Sequence, residues 1–404
     1  MPLRVLIVGG SFGGLTTANQ LRRRLPARDC EITLISATDR FTVIPSLPWV
    51  AMGQRTLEQI SFALAPALER RQVTFAQETL LRCDPQRRVV VTDHGERPYD
   101  VLVLATGHRS ANEAVPGLGP GDGPGHSLMS PAEAVELRQA LAAALDDPGP
   151  LVIGCAPGAS CIGPAYEFAF EVDHLLRRRH LRHRVPITFV TPEPHLGHMG
   201  MGGVGRARRL LEDAFEERDI RYRTSAAITR ITPTAVEVEG LGPLEARLAM
   251  VIPPLAGVAA VAASPGLANP KGFVAVDERY RHLAHPDIYA VGVAVALAPV
   301  EPTAVPVNFP KTGDMTEQMA AVAAADIAAR VGGPAPLVRD LVARCILDMG
   351  DRGVYLSVDP VRPPRRRIPT VSAGRRWLWT KRAFERAYLA SAARGLRLPG
   401  GLGW

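Results

Sequence analysis

The 404 residues exceed what one small core organises, so two or three domains are expected. A composition of 47% hydrophobic and 22% charged residues is that of a soluble globular chain, and no run approaches the ~18 consecutive apolar residues of a membrane span, which excludes a helical channel or carrier. The formal charge of +7 is unevenly spread: residues 362–404 hold eleven Arg or Lys against a single acid, Glu385, a local +10 that leaves −3 for residues 1–361. Such a tail suits an anionic membrane surface or nucleic acid.

The first elements follow in quick succession. Met1-Pro2-Leu3-Arg4 runs straight into an apolar strand at residues 4–8, so no cleaved signal peptide is expected. A glycine turn, Gly9-Gly10-Ser11-Phe12-Gly13-Gly14, comes next, then a helical pattern carried by Leu15, Ala18, Leu21 and Leu25, and a strand at 31–35. Residues 99–105 form another buried strand ending at Thr106-Gly107, and the Gly/Pro-rich stretch 116–125 reads as a linker. After a helix at 132–145 the theme restarts, with a strand at 150–153, a small-residue turn at 154–163, a helix at 164–180 and a strand at 185–190. The predicted fold class is therefore α/β, with two Rossmann-like dinucleotide-binding domains. The expected boundaries are 1–112 with 270–334 for the first domain, since a strand at 288–292 returns to it, and 113–269 for the second. Residues 335–404 form a C-terminal region with a hairpin about residues 350–353 and a terminal helix.

A diphosphate needs backbone N–H groups at a helix N-terminus with no Cβ in the way. Gly9 permits the tight turn and Gly14 the close packing of helix on strand. Ser11 stands where the strict pattern has glycine, with Gly10 and Gly13 beside it, and Ser36 ends the second strand where a ribose-binding acid is usual. The strand end at Thr106-Gly107 favours FAD over NAD, because a flavin stretched across the domain meets several strand ends. Gly292-Val293 reads as a further flavin contact, with valine where aspartate is common.

The second turn is poorer in glycine. Gly154, Ala156 and Ala159 occupy the three glycine positions, Pro157 removes an N–H donor, and the following strand ends at Thr191-Pro192 without a ribose acid. A degraded NAD site is expected, with electrons entering by another route. Of the five cysteines none forms a CxxC pair or a metal cluster, so no metal site is expected. Cys161 lies in this second turn, and its position near a helix N-terminus is expected to favour the thiolate.

The terminal helix places Trp377, Phe384 and Tyr388 on one face, with Lys381, Arg382 and Arg386 on its flanks. Aromatics opposite basics describe a helix lying in a membrane interface. Nucleic acid needs the charge but not the apolar face, and is not an expected partner; a helix docked on the core is the alternative.

These residues resemble the sulfide:quinone oxidoreductases, membrane-surface flavoproteins related to type II NADH dehydrogenases and flavocytochrome c sulfide dehydrogenases. The matching segments are residues 9–15, Thr33-Leu34-Ile35-Ser36, 157–169, 191–198, 305–313, and Cys345 with Asp348-Met349-Gly350. They span nearly the whole chain. The resemblance implies non-covalent FAD, sulfide as substrate, and a redox pair formed by Cys161 and Cys345 that cycles through a disulfide or sulfur-bridged state. It also implies a membrane quinone acceptor near Phe384, Lys381 and Arg344, proton movement at Glu167, and a cation at Lys311 beside the flavin. It places the protein peripherally on the cytoplasmic face of the cell membrane and leaves room for a homo-oligomer. Met129 stands where many members carry a third cysteine, Arg344 where an aliphatic residue is common, and Cys155 is extra, a stand-in for the missing sulfur or a competing partner. Two other readings remain at this stage: an NAD(P)H:quinone oxidoreductase, and a flavin-based redox or sulfur sensor that binds a partner through the basic tail.

Overall fold

A computed structural model describes residues 2–119 and 123–394. The chain opens with strand β1 (Leu3–Val8), helix α1 (Phe12–Arg24), and strands β2 (Cys30–Ser36), β3 (Thr74–Gln77) and β4 (Val101–Leu104). It continues through β5 (Gly125–His126), α2 (Pro131–Asp146), β6 (Leu151–Cys155), α3 (Gly163–Arg178), β7 (Ile187–Val190), β8 (Ile220–Arg223) and β9 (Leu248–Ile252). The remaining main elements are β10 (Ile288–Ala290), α4 (Gly313–Ala329), β11 (Ala343–Asp348), β12 (Gly353–Val358), β13 (Thr370–Gly374) and α5 (Arg375–Arg394).

Two all-parallel sheets form the body. The first has the order β10-β4-β1-β2-β3, and the second β5-β9-β6-β7-β8. The central strands are continuous apolar runs buried on both faces, as helices packed on both sides of a parallel sheet require. Each sheet contains the same strand–turn–helix–strand unit, β1-α1-β2 in the first and β6-α3-β7 in the second, so the α/β class with two Rossmann-like halves is observed. An antiparallel pair, Arg109–Ser110 with Leu255–Ala256, ties the segment leaving the first sheet to the segment leaving the second.

Strands β11, β12 and β13 form an antiparallel sheet whose first hairpin turns at Gly350 (φ +83°), with the Met349 N–H donating to Arg352 O at 2.8 Å. Helix α5 then folds back over this sheet. Leu378, Lys381, Glu385, Tyr388 and Ala392 are buried at alternating steps of three and four, a single inward stripe. Tyr388 packs on Phe41 and Phe12, with ring centroids at 5.6 and 5.3 Å, and Trp377 stacks on Tyr355 at 4.5 Å. The expected lipid-facing aromatic face is therefore corrected: Tyr388 turns inward with Phe384 beside it, because Phe12 and Phe41 supply aromatic partners there. Trp379 is the aromatic of this helix that stays outside, at 66% exposure. The tail's last residues, 395–404, with Arg397 and Trp404, lie outside the described residues.

Candidate active site

The site begins at the turn between β1 and α1. Gly9 has φ +116°, and a Cβ there would stand 2.2 Å from Ala105 O; at Gly14 a Cβ would stand 1.8 Å from Gly9 O. Both positions therefore require glycine, because the chain's own backbone occupies the space that a side chain would need. Ser11, Phe12 and Gly13 form one wall of a cavity of about 380 Å³. Ser36 is buried at the end of β2, and its Oγ accepts from the Thr38 N–H at 3.3 Å. Gly107, Gly292 and Val293 line the same cavity, whereas Gly10, Gly14, Ser36 and Thr106 stand behind its surface.

Cys161, two residues ahead of α3, and Cys345, in the middle of β11, both face this cavity as free, half-buried thiols. Residues 184 positions apart meet because β11 packs against α3. The expected thiolate at Cys161 is corrected. Burial, with the Glu167 carboxylate second, pushes its thiol up to about 11, so the cost of a buried charge exceeds the pull of the helix N-terminus. Cys345 is pushed up to about 12 by burial and Glu167, against the opposing charge of Lys381.

Glu167 and Lys381 form a buried ion pair at the cavity wall. Glu167 also accepts the Asp348 N–H at 2.6 Å; burial pushes its carboxyl above the ordinary range, against ionisation, and Lys381 opposes that shift. Arg344 grips Asp314 through two hydrogen bonds of 2.9 and 3.1 Å, which neutralises its charge inside the wall, and Phe384 lies nearby. Lys311 is buried, donates to Val293 O and Val295 O at 2.9 Å each, and sits 3.5 Å from the Phe273 ring centroid. Burial lowers its ammonium to about 7, and its two hydrogen bonds tie it to the Gly292 turn at the cavity wall.

His108 was not singled out by the sequence, although it directly follows the strand end at Gly107. It lines the cavity, and burial with the nearby Lys311 holds it at about 4, so it is neutral at physiological pH. Met129, at the position where many family members carry a third cysteine, is in the wall, and Cys155 is fully buried and outside it. His195 and His198 stand away from the cavity; His198 Nε2 meets Glu301 at 2.8 Å.

The second turn is filled by the chain itself. The Gly158 N–H donates to Pro306 O at 2.6 Å, the Asn308 side chain donates back to Gly158 O at 2.6 Å, and the Asn308 N–H donates to Ala159 O at 3.1 Å. An acid does follow β7, which the sequence reading passed over. Glu193 is fully buried and accepts from Tyr166 Oη at 2.7 Å, Thr191 Oγ1 at 2.8 Å and the Met199 N–H at 2.8 Å, so it is committed to the interior.

Two parallel dinucleotide-type sheets, with a pair of cysteines facing the first glycine turn, define a class: the profile of the pyridine nucleotide-disulphide oxidoreductases matches residues 3–325. A sulfide-quinone reductase of Aquifex aeolicus is 38% identical over 403 residues, covering 98% of this chain and 92% of that protein. The X-ray structure of the sulfide:quinone oxidoreductase from the same bacterium superimposes with a TM-score of 0.94 at 37% identity, covering 98% of this chain and 93% of the other. The NDH2 of Plasmodium falciparum, solved with NADH, shares the fold at a TM-score of 0.74 and 13% identity, covering 98% and 96% of the two chains. A type II NADH:quinone oxidoreductase of Staphylococcus haemolyticus matches 115 residues at 27% identity, 28% of this chain and 29% of that protein. The chain belongs to the sulfide-quinone reductase family, and it is an oxidoreductase of the flavoprotein type.

Proposed function

We propose that the protein oxidises hydrosulfide to sulfane sulfur and passes the electron pair to a quinone, through non-covalently held FAD and the Cys161–Cys345 pair. The observation that carries this reading is one cavity wall: both cysteines face the glycine turn of the first sheet, while the second turn is bonded to residues 306–308. The N-terminus of α1, with Ser11, Phe12 and Gly13 on the cavity, suits a diphosphate, and Ser11, Phe12, Gly13, Gly107, Gly292 and Val293 would hold the cofactor. When bound, FAD supplies a two-electron acceptor for sulfur and donor for quinone.

Hydrosulfide attacks the sulfur bridge between Cys161 and Cys345, forming one S–S bond and breaking another, and the displaced sulfur leaves as a thiolate. Lys381 is the cation that favours that thiolate on Cys345. Overall, HS⁻, one proton and a quinone give sulfane sulfur and a quinol, sulfur losing the two electrons that the quinone gains. Phe384, Lys381 and Arg344 also line this cavity and would take the quinone head.

Anaerobic titration separates this reading from an NADH oxidase of similar fold. Sulfide should bleach the flavin, the bleaching should vanish in Cys161→Ser and in Cys345→Ser, and NADH should bleach it at a small fraction of that rate. Bleaching that survives both substitutions, or rapid bleaching by NADH alone, overturns it.

Among the described residues no helix is long and apolar enough to cross a membrane. Contact with an anionic leaflet is instead proposed through exposed Ile368 and Trp379 (90% and 66%) among Arg366, Arg367, Arg375, Arg376 and Arg382. Co-sedimentation with phosphatidylserine-containing vesicles that weakens with salt, and in Ile368→Ala/Trp379→Ala, supports this; equal sedimentation with neutral vesicles contradicts it.

A further inference from the structure

Behind the cavity wall lies a group of acids that the chemistry above does not use. Glu171 follows Glu167 by one turn on the same face of α3. It is 2% exposed; its Oε1 has no hydrogen-bond partner among the described residues, and its Oε2 receives only Gln54 Nε2, at 3.3 Å. Asp348, at the end of β11, is equally buried and accepts from Trp49 Nε1 at 2.9 Å and the Gly350 N–H at 2.7 Å. Its own N–H is the donor to Glu167. Three carboxyls therefore crowd one region.

The cations around them do not match that number. Lys381 of α5 is bonded to Glu167. Arg55 is committed to Glu385 of α5 at 2.9 Å and lies over the Trp49 ring. Arg382, the next residue of α5, acts on Glu171 only as a weaker charge than Lys381, and His174 of α3 packs against Gly350. A buried carboxylate with neither a cation nor a full set of donors is expensive, and the relief open to it is to hold a proton. Burial first, then the charges of Asp348 and Glu167, push Glu171 in that direction, well above the ordinary range.

Position gives this proton a use. Gln54, the hydrogen-bond partner of Glu171, is exposed to solvent, and Glu167, one turn away, is part of the cavity wall. Reducing a quinone to a quinol takes up two protons, and the cavity is otherwise lined mainly by apolar groups. We propose that Glu171 is the proton-holding residue of a relay from solvent at Gln54 to Glu167 at the cavity wall, serving the proton-consuming half of the reaction. The inference rests on the quinone-reducing part of the reading above. Glu171 passes its proton to the Glu167 carboxylate and is reprotonated from solvent on the Gln54 side. Glu167 delivers the proton to the reduced acceptor oxygen, and no electron passes through the carboxyls. Glu171 acts through Glu167 and is a positioning residue.

The test uses flavin-loaded enzyme with Glu171→Gln, which keeps the shape and the Gln54 contact but cannot titrate. Two measurements are made. The first is the infrared spectrum of the oxidised enzyme without substrate, in which a protonated-carboxyl C=O band should be present in the parent and lost in the variant. The second is stopped-flow reoxidation, by a soluble short-chain quinone, of enzyme reduced with dithionite. It should slow roughly 10- to 100-fold, at or below the bottom of the range for a direct proton donor because Glu171 acts through Glu167, with a larger solvent deuterium effect and a steeper fall as pH rises. Flavin reduction by sulfide should be within about twofold of the parent, since that half consumes no proton from this side.

An unchanged infrared band or an unchanged reoxidation rate overturns the relay. If sulfide fails to reduce the parent flavin, the sulfide reading fails, yet the dithionite and infrared measurements still decide the relay. If quinone fails to reoxidise the parent, both fall. Should Glu171→Gln not retain flavin, Glu171→Asp is read instead, and a shifted band with a shifted pH profile is the result expected of a relay residue.

Discussion

A thiol that ionises at about 11 is thiolate to roughly a hundredth of the ordinary fraction at neutral pH, and one at about 12 to roughly a thousandth. Cys161 and Cys345 are therefore quiet when reduced and unpaired, although a cavity wall and a helix N-terminus are a setting in which reactive cysteines are often sought. In dithionite-reduced enzyme, iodoacetamide should label Cys161 at least about 100-fold more slowly than a free cysteine at pH 7, with the rate rising about tenfold per pH unit up to pH 10. In Lys381→Met, labelling of Cys345 should slow further while that of Cys161 stays nearly the same, because Lys381 counters the rise at Cys345 alone. Peptide mass spectrometry reads both sites. Labelling of Cys161 at the free-cysteine rate at pH 7 would show that the helix N-terminus, and not burial, controls it.

At the scale of the element, α5 is held by an unusual arrangement: its inward stripe contains an ammonium, Lys381, whose partner Glu167 belongs to α3. Removing one member of a buried pair strands the other charge, a loss of about 3–5 kcal/mol, whereas replacing both by apolar groups of similar volume is often close to neutral. Lys381→Met should therefore lower the thermal midpoint markedly, and Lys381→Met/Glu167→Leu should recover most of it, as measured by calorimetry on the flavin-loaded protein. A double variant no more stable than the single one would mean that α5 is docked by its apolar residues alone. This contact also marks where the sequence stopped being legible. Local features were readable: the Gly9–Gly14 turn, the repeated strand–turn–helix unit and the degraded second turn each rest on backbone needs visible within a few residues. The membership of Cys161 and Cys345 in one site came from resemblance, since nothing in the 183 intervening residues predicts that β11 packs on α3. The face of α5 was misjudged because Trp377, Phe384 and Tyr388 look alike to a helical wheel whether they meet lipid or Phe12 and Phe41. Glu171 and His108 and the buried setting of Asp348 are hidden for the same reason, their chemistry being created by burial and by neighbours distant in sequence.

Across the whole molecule, one carboxyl links the first glycine-turn helix α1, the helix α4 that follows Lys311, and the C-terminal helix α5. Glu317 of α4 accepts from Tyr388 Oη of α5 at 2.8 Å and from Thr16 Oγ1 of α1 at 3.5 Å. Burial raises it to about 7. Between about 4.5 and 7 the folded protein thus holds a proton at this site that the unfolded chain has released, so stability falls as pH rises through that window. His108 acts oppositely: held at about 4 in the fold, it lets the unfolded chain bind the extra proton between about 4 and 6.5, and its contribution rises with pH. Lys311, lowered to about 7, does the same between about 7 and 10.5. The parent's total pH profile mixes these terms, and only a difference isolates one. Glu317→Gln retains an oxygen for Tyr388 and Thr16 and removes the ionisation. The variant minus the parent should be near zero or slightly negative at pH 4.5, rise steadily, and level off above pH 7 at up to the order of 3 kcal/mol in the variant's favour. Urea unfolding of the flavin-loaded forms at half-unit pH steps would follow it. A difference that is flat across the window would mean that Glu317 is already ionised in the fold, and that α1, α4 and α5 are joined there by hydrogen bonds indifferent to pH.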